Sequence, residues 1–216
     1  MKKMISKRLV TVLVGAALVL GAGAAFATPA SDQQFVEAQH TKLTTLLKQP
    51  PSVSRDTQVN QQLDTMVDYE EMTRRAFGKP CPATVPGCKN WWDTFSKEDQ
   101  DKLVSKLRKL VEKNYRKNLT KTLHYNITYR GAHNGTNAGE TRVITEAQDS
   151  GKLREPPVRV DYVILPNNGK PFVVDIYTEN SSLTKNYYFD FNRMLLNPAQ
   201  GLQHVMDRLD QKAAAP

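Results

Sequence analysis

At Leu123 the apolar period of this chain changes from about 3.6 residues to two. Leu123, Tyr125, Ile127 and Tyr129 alternate with His124, Asn126, Thr128 and Arg130, the pattern of a strand with one buried and one wetted face. After a turn-rich link from Gly131 to Gly139, Glu140 to Ala147 alternates more weakly. Val158, Val160, Tyr162 and Ile164 alternate around Arg159 and Asp161. Phe172, Val174 and Ile176 follow Asn167-Asn168-Gly169, a short hairpin signal. Four strands with short connections specify an antiparallel sheet, which needs helices over its apolar face. The aromatic residues on that face are Tyr125, Tyr129, Tyr162 and Phe172.

The helical patterns lie before and after this block. Phe35, Val36, Leu43, Leu46 and Leu47 predict a helix ending before Pro50 and Pro51. Val59, Leu63, Met66 and Val67 predict a second, and Tyr69 to Phe77 a third, closed by Gly78 and Pro80. Trp91 and Trp92 read as exposed. Ser96, with Asp99 three positions on, caps a long helix. Its Leu103, Leu107, Leu110, Val111 and Tyr115 form an apolar stripe beside Lys102, Lys106, Lys109, Lys113 and Lys117. This lysine stripe reads as a solvated face, or as a docking face for acidic partners or anionic headgroups. Ser181 or Ser182 caps a helix carrying Leu183, Tyr187, Phe191, Met194 and Leu195. Leu202, Val205, Met206 and Leu209 mark a last helix before a flexible Ala-rich tail at 211–216. The fold class is α+β: a twisted antiparallel sheet of about four strands wrapped by about six helices. No internal repeat competes with it.

The first 27 residues stand apart. Lys2, Lys3, Lys7 and Arg8 precede an apolar or small-residue run from Leu9 to Gly23, and Ala25-Phe26-Ala27 supplies a small-x-small cleavage site. This is the layout of a secretory signal peptide, with an apolar run too short and glycine-broken to span a bilayer stably. No Cys precedes position 81, so the leader is not of the lipid-anchored kind. Residues 28–210 then form a single exported domain. The formal charge of +8 over 216 residues shrinks accordingly. Without the leader's four cations, 26 basic against 22 acidic side chains leave +4, too mild to argue for nucleic acid, for which there is no motif. Export also turns Cys81 and Cys88, the two cysteines of the chain, into a disulfide pair. Their spacing suits neither a redox nor a zinc pair.

Catalytic patterns are missing. The sequence has no glycine-rich phosphate loop, no His-Glu-x-x-His and no calcium loop. His40, His124, His133 and His204 are scattered without ligand spacing, so no metal is expected. Ser182-Leu-Thr-Lys185 matches a serine-acylase pattern but lacks its companion motifs, and Ser182 reads as a helix cap. Asp161 and Asp175 lie opposite the apolar stripe beside Arg159, the place of a solvated cross-strand ion pair rather than an acid/base pair. The residues by themselves favour a binding or carrier role without cofactor.

Two segments carry a resemblance. Val67-Asp-Tyr-Glu-Glu-Met-Thr-Arg-Arg-Ala-Phe-Gly78, then Trp92 and Phe95-Ser-Lys-Glu-Asp-Gln100, resembles the N-terminal half of the periplasmic MlaC family, also known as toluene-tolerance or ABC-transporter auxiliary proteins. Val158-Arg-Val-Asp-Tyr-Val-Ile-Leu165, Val174-Asp-Ile-Tyr-Thr-Glu-Asn-Ser-Ser-Leu183 and Lys185-Asn-Tyr-Tyr188 through Phe191 resemble that family's last two strands and following helix. The resemblance spans roughly residues 33–210. It implies a sheet and helices enclosing an apolar cavity for acyl tails. It also implies a carrier of phospholipid between an outer-membrane lipoprotein complex and an inner-membrane ABC transporter with its substrate-binding subunit. Residues 79–90 look like an insertion, and Asn180 stands where the family suggests glycine.

Hiding about 30 methylenes from water is worth ~24 kcal/mol at ~0.8 kcal/mol each, and a carrier need only match the bilayer. A dry apolar pocket therefore suffices, with any ATP site left to a partner. The candidate lipid-binding residues are Tyr125, Ile127, Tyr129, Val160, Tyr162, Val174, Ile176, Leu183 and Tyr187. The alternative is an exported hydrolase or isomerase acting on an apolar substrate, which needs a convergent pair of titratable groups in the cavity.

Overall fold

A computed structural model describes residues 28–121 and 123–215; the leader read over residues 1–27 lies outside the described residues. Helix α1 (Pro29–Leu47) starts at Thr28, whose hydroxyl accepts the Ser31 N–H while the Ser31 hydroxyl accepts the Thr28 N–H. Pro29 occupies the first turn, where no N–H is needed. Ser52 caps α2 (Val53–Asp64) and Asp68 caps α3 (Tyr69–Ala76). Helix α4 (Lys97–Lys121) begins at Ser96, whose hydroxyl oxygen accepts the Asp99 N–H at 3.1 Å. Strands β1 (Tyr125–Asn134), β2 (Thr141–Asp149), β3 (Val158–Asn167), β4 (Lys170–Thr178) and β5 (Ser181–Ser182) follow, then α5 (Leu183–Leu196) and α6 (Gly201–Ala214).

The five strands lie in chain order, each antiparallel to the next. The sheet thus gains a two-residue strand beyond the four expected, and β1 runs on through Gly131 to Asn134 where a turn-rich link was expected. The β3–β4 hairpin turns at Asn168 (φ 51°) and Gly169 (φ 74°), a left-handed pair matching the strand twist. Helix α6 continues to Ala214 into the stretch expected to be a flexible tail, because Ala213 packs on the core and the Lys212 carbonyl accepts from Lys113.

One bulge decides which residues of β4 face inward. Val163 pairs with Asp175 but Ile164 pairs with Val173, so Val174 has no partner. The extra residue shifts the alternation by one place. Val173 joins the main core cluster beside Ile164; Val174 is as deeply buried, at 1% exposed, but lies outside that cluster, while Phe172 pairs with Leu165 on the other face. The inward placement expected for Phe172 is corrected accordingly. A similar irregularity between Tyr129 and Gly131 bends β1.

The far half of the inner sheet face is packed solid. Val143, Ile164 and Val173 meet Val36 and Leu43 of α1, Met66 of the α2–α3 link, and the fully buried Leu103 and Leu107 of α4 within one cluster. Met66 and Val67, expected in the second helix, lie instead in that link. There Val173 N–H donates to the Met66 carbonyl at 2.8 Å and Asp68 N–H to the Val173 carbonyl at 3.1 Å. Trp92, expected exposed, is 5% exposed, since the chain turns back through Trp91 and Trp92 N–H bonds to the Phe77 carbonyl.

Charges on the outer face are less solvated than expected. Asp161 is 1% exposed and accepts from Arg142 at 2.6 Å and Arg159 at 2.9 Å, with Arg142 lying 4.1 Å over the Tyr177 ring. Asp175 does not join them. It accepts the Ser182 hydroxyl at 2.6 Å and the Thr184 N–H at 3.0 Å, fixing the start of α5. The lysine stripe is also partly engaged: Lys106 pairs with Asp210 and Lys113 reaches the Lys212 carbonyl, strapping α6 to α4.

Cys81 and Cys88 form the expected disulfide, and the loop they close is tied to α5 by Lys89 N–H donating to the Tyr188 hydroxyl at 2.8 Å. The Cys81→Ser/Cys88→Ser double variant is expected to lose about 2.5 kcal/mol, the chain-entropy value for so short a loop. Denaturant unfolding under oxidising conditions checks this; an unchanged midpoint would assign the loop's order to the Tyr188 contact.

Candidate functional site

A cavity of about 450 Å³ lies between the near half of the sheet and helices α1, α4 and α5. Its floor is the inner face of the strands: Tyr125 and Ile127 of β1, Thr145 and Ala147 of β2, Val160 and Tyr162 of β3, and Ile176 and Thr178 of β4. The register puts them side by side, with Ile127 opposite Ala147, Thr145 opposite Val160, and Tyr162 opposite Ile176. Its walls are His40, Thr44 and Leu47 of α1, Val111, Asn114 and Tyr115 of α4, Leu123, and Ser181, Leu183, Asn186 and Tyr187 at the start of α5. Asn114, Thr178, Ser181 and Asn186 are exposed and form a neutral polar rim. Such a volume suits a small-molecule or lipid-chain site.

The space exists because of residue size. On the inner face β2 presents Thr145 and Ala147, between a β1 that carries Tyr125 and a β3 that carries Tyr162. The small side chains leave a trough that the helices do not fill. Two left-handed residues, Glu179 (φ 48°) and Asn180 (φ 65°), turn the chain from β4 into β5 and bring Leu183 and Tyr187 over it. Asparagine tolerates that conformation better than most residues, which accounts for Asn180 standing where glycine was expected.

Seven of the nine candidate residues line the cavity: Tyr125, Ile127, Val160, Tyr162, Ile176, Leu183 and Tyr187. Val174 does not, because of the bulge. Tyr129 does not line it either, but its hydroxyl lies 2.8 Å from His40 Nδ1 and positions that ring. Reasoning from sequence missed the α1 and α4 walls and β2. The α4 stripe already carried Val111 and Tyr115, whereas Thr145 and Ala147, which share the inner face with Val143, gave no local sign of a trough.

Among the described residues no carboxylate, lysine or arginine lines the cavity. Burial raises the Tyr187 phenol to about 12 and pushes Tyr115 and Tyr162 well above the ordinary range, so these hydroxyls stay neutral. His40 stands edge-on to Tyr162 at 5.0 Å, and its Nε2 is buried without a hydrogen-bond partner. Burial lowers this imidazole from 6.5 to about 4. Among the described residues no His, Cys, Asp and Glu cluster could hold a metal ion.

The model of one protein family, described as MlaC protein, matches residues 39–211. The chain belongs to the MlaC family. A solved structure of a phospholipid-binding protein from Ralstonia solanacearum, in complex with a phospholipid, shares the fold with a TM-score of 0.67 at 17% identity, covering 85% of this chain and 97% of that one. A search of curated proteins finds no match. In this MlaC-family chain, no described helix is long and apolar enough to cross a membrane.

The His40 shift carries a pH signature. Between pH 6.5 and about 4 the unfolded chain binds the proton that the folded chain refuses. The stability this group contributes is therefore present above pH 6.5 and lost as pH falls toward 4. Thermal unfolding of wild type and His40→Gln across that window should show the wild type losing ground steadily; parallel curves would place the ring in a wetter setting.

Proposed function

We propose that this chain is a periplasmic phospholipid carrier. It takes lipid tails into the cavity between sheet and helices, leaves the headgroup at the neutral rim, and moves lipid between an outer-membrane lipoprotein complex and an inner-membrane ABC transporter with its substrate-binding subunit, so maintaining outer-membrane lipid asymmetry. The observation that carries this reading is the lining. A trough that is uncharged and largely apolar among the described residues offers acyl chains an environment like the bilayer interior, so transfer in either direction needs no large energy input. Membership of the MlaC family and the phospholipid held by the Ralstonia solanacearum protein support it. The neutral rim gives no ionic grip on a headgroup, so we read the apolar part of the lipid as the recognised part. The reading involves no cofactor and no catalytic step, and the described lining offers the hydrolase or isomerase alternative no carboxylate to pair with a base.

Native mass spectrometry of the purified chain, followed by solvent extraction, tests the proposal. A stoichiometric added mass that extracts as phospholipid is the expected result. A bare chain that also takes no lipid from vesicles would sink it. Ala147→Trp places a large ring in the trough beside Ile127 and Val158. It is expected to cut bound lipid by at least tenfold while thermal unfolding stays cooperative, and undiminished lipid binding would move the cargo elsewhere.

A further inference from the structure

The segment joining β2 to β3 leaves the sheet at the end that carries the exposed rim residue Thr178, since Ala147 pairs with Val158 and Val160 with Thr178. Its Glu155 N–H donates to the Lys152 carbonyl at 3.0 Å, which makes Leu153 and Arg154 the two central residues of a tight turn. The Gln148 side-chain amide donates to the carbonyls of Lys152 and Glu155 at 3.1 and 3.2 Å, and Ser150 N–H donates to the His124 carbonyl at 3.2 Å. The turn is therefore held in shape from beneath. Gly, Asn, Asp and Ser usually occupy such tips; here the tip is a leucine, 73% exposed.

A single exposed leucine needs no explanation. This one has company. Ile127, Ala147 and Val158 stand in one row across β1, β2 and β3, where Ile127 and Val158 are 40% and 37% exposed and Ile127 and Ala147 line the cavity. Apolar surface thus leads out of the cavity onto the edge that carries the turn. Lys152 and Arg154 flank the leucine. Lys152 shares Glu155 at 3.3 Å, while Arg154 is exposed and has no ion-pair partner among the described residues. An apolar tip between two cations matches a lipid–water boundary, with the leucine at the acyl edge and the cations at the depth of the phosphates.

We propose that this turn is a bilayer-contact site: Leu153 enters the acyl boundary, Arg154 and Lys152 engage anionic phosphate groups, and the cavity mouth is held against the surface from which lipid is drawn. This rests on the carrier reading. A protein partner fits the patch less well, because three separated aliphatic side chains fall far short of the roughly 1,000 Å² that a stable protein interface buries. One leucine with two cations gives a weak, reversible hold, which is what a carrier that must leave the membrane requires.

The test uses the chain without its leader, stripped of lipid, and follows phospholipid uptake from zwitterionic vesicles with and without added anionic phosphatidylglycerol. Leu153→Ser should slow uptake by roughly tenfold, the cost of one lost leucine contact, and Leu153→Met should keep the wild-type rate. Arg154→Ser should lose the acceleration given by anionic lipid. The final amount of lipid per chain should be the same in all. Leu153→Ser uptake within twofold of wild type on both vesicles overturns the proposal and leaves the carrier reading standing. A slowing that appears only when a protein replaces the vesicles as donor also overturns it and assigns the turn to protein docking. A wild-type chain that acquires no lipid from either vesicle overturns this site, and one that also purifies without lipid overturns the carrier reading with it.

Discussion

An antiparallel sheet with one apolar face must take that face out of water, and in this chain helices do so with side chains over only half of it. Over the far half, Val143, Ile164 and Val173 are closed against α1, the α2–α3 link and α4. Over the near half, Thr145 and Ala147 leave room that α1, α4 and α5 roof without filling. Side chains around an open trough lack packing partners on one side, so the near half leaves room for an apolar occupant. The neutral lining, the polar rim and the family fold are consistent with such an occupant.

The architecture was legible where it depends on local pattern. Alternation from Leu123 and from Val158, the Asn168-Gly169 turn and the Ser96 and Ser182 caps all act within a few residues, and the helices and hairpins follow from them. What escaped depends on pairing. A bulge adds one residue to one strand, so Val174 stays buried but loses its strand partner and its place in the cavity lining, and nothing local announces the change of phase. The burial of Asp161 likewise requires knowing that Arg142 lies on the neighbouring strand. The cavity was legible in its large residues, which alternation exposes, and illegible in Thr145, Ala147 and His40, whose role is to be small or to stand on a distant helix.

The outer face shows how charge is used when a sheet is covered on one side. Asp161 is shared by two guanidiniums, whereas Asp175 accepts from the hydroxyl and N–H groups that begin α5. These two similar-looking acids therefore do different work: one ties strand to strand, the other fixes the helix whose first turn forms a cavity wall. Displacing Asp175 would reach the cavity through Leu183 and Tyr187, although the acid itself is not part of the lining.

The division of the sheet into a solid half and a hollow half has an evolutionary consequence. Substitutions in the solid half are judged by whether the chain stays folded, because every side chain there has a fixed set of neighbours. Those in the hollow half are judged by what the trough will hold, since a methyl gained or lost faces open space. Under the proposed carrier function, relatives can drift in cargo by changing Thr145, Ala147 or Ile176 while Val143, Ile164 and Val173 continue to specify the same fold, so the residues that hold the fold together and those proposed to select cargo can vary independently.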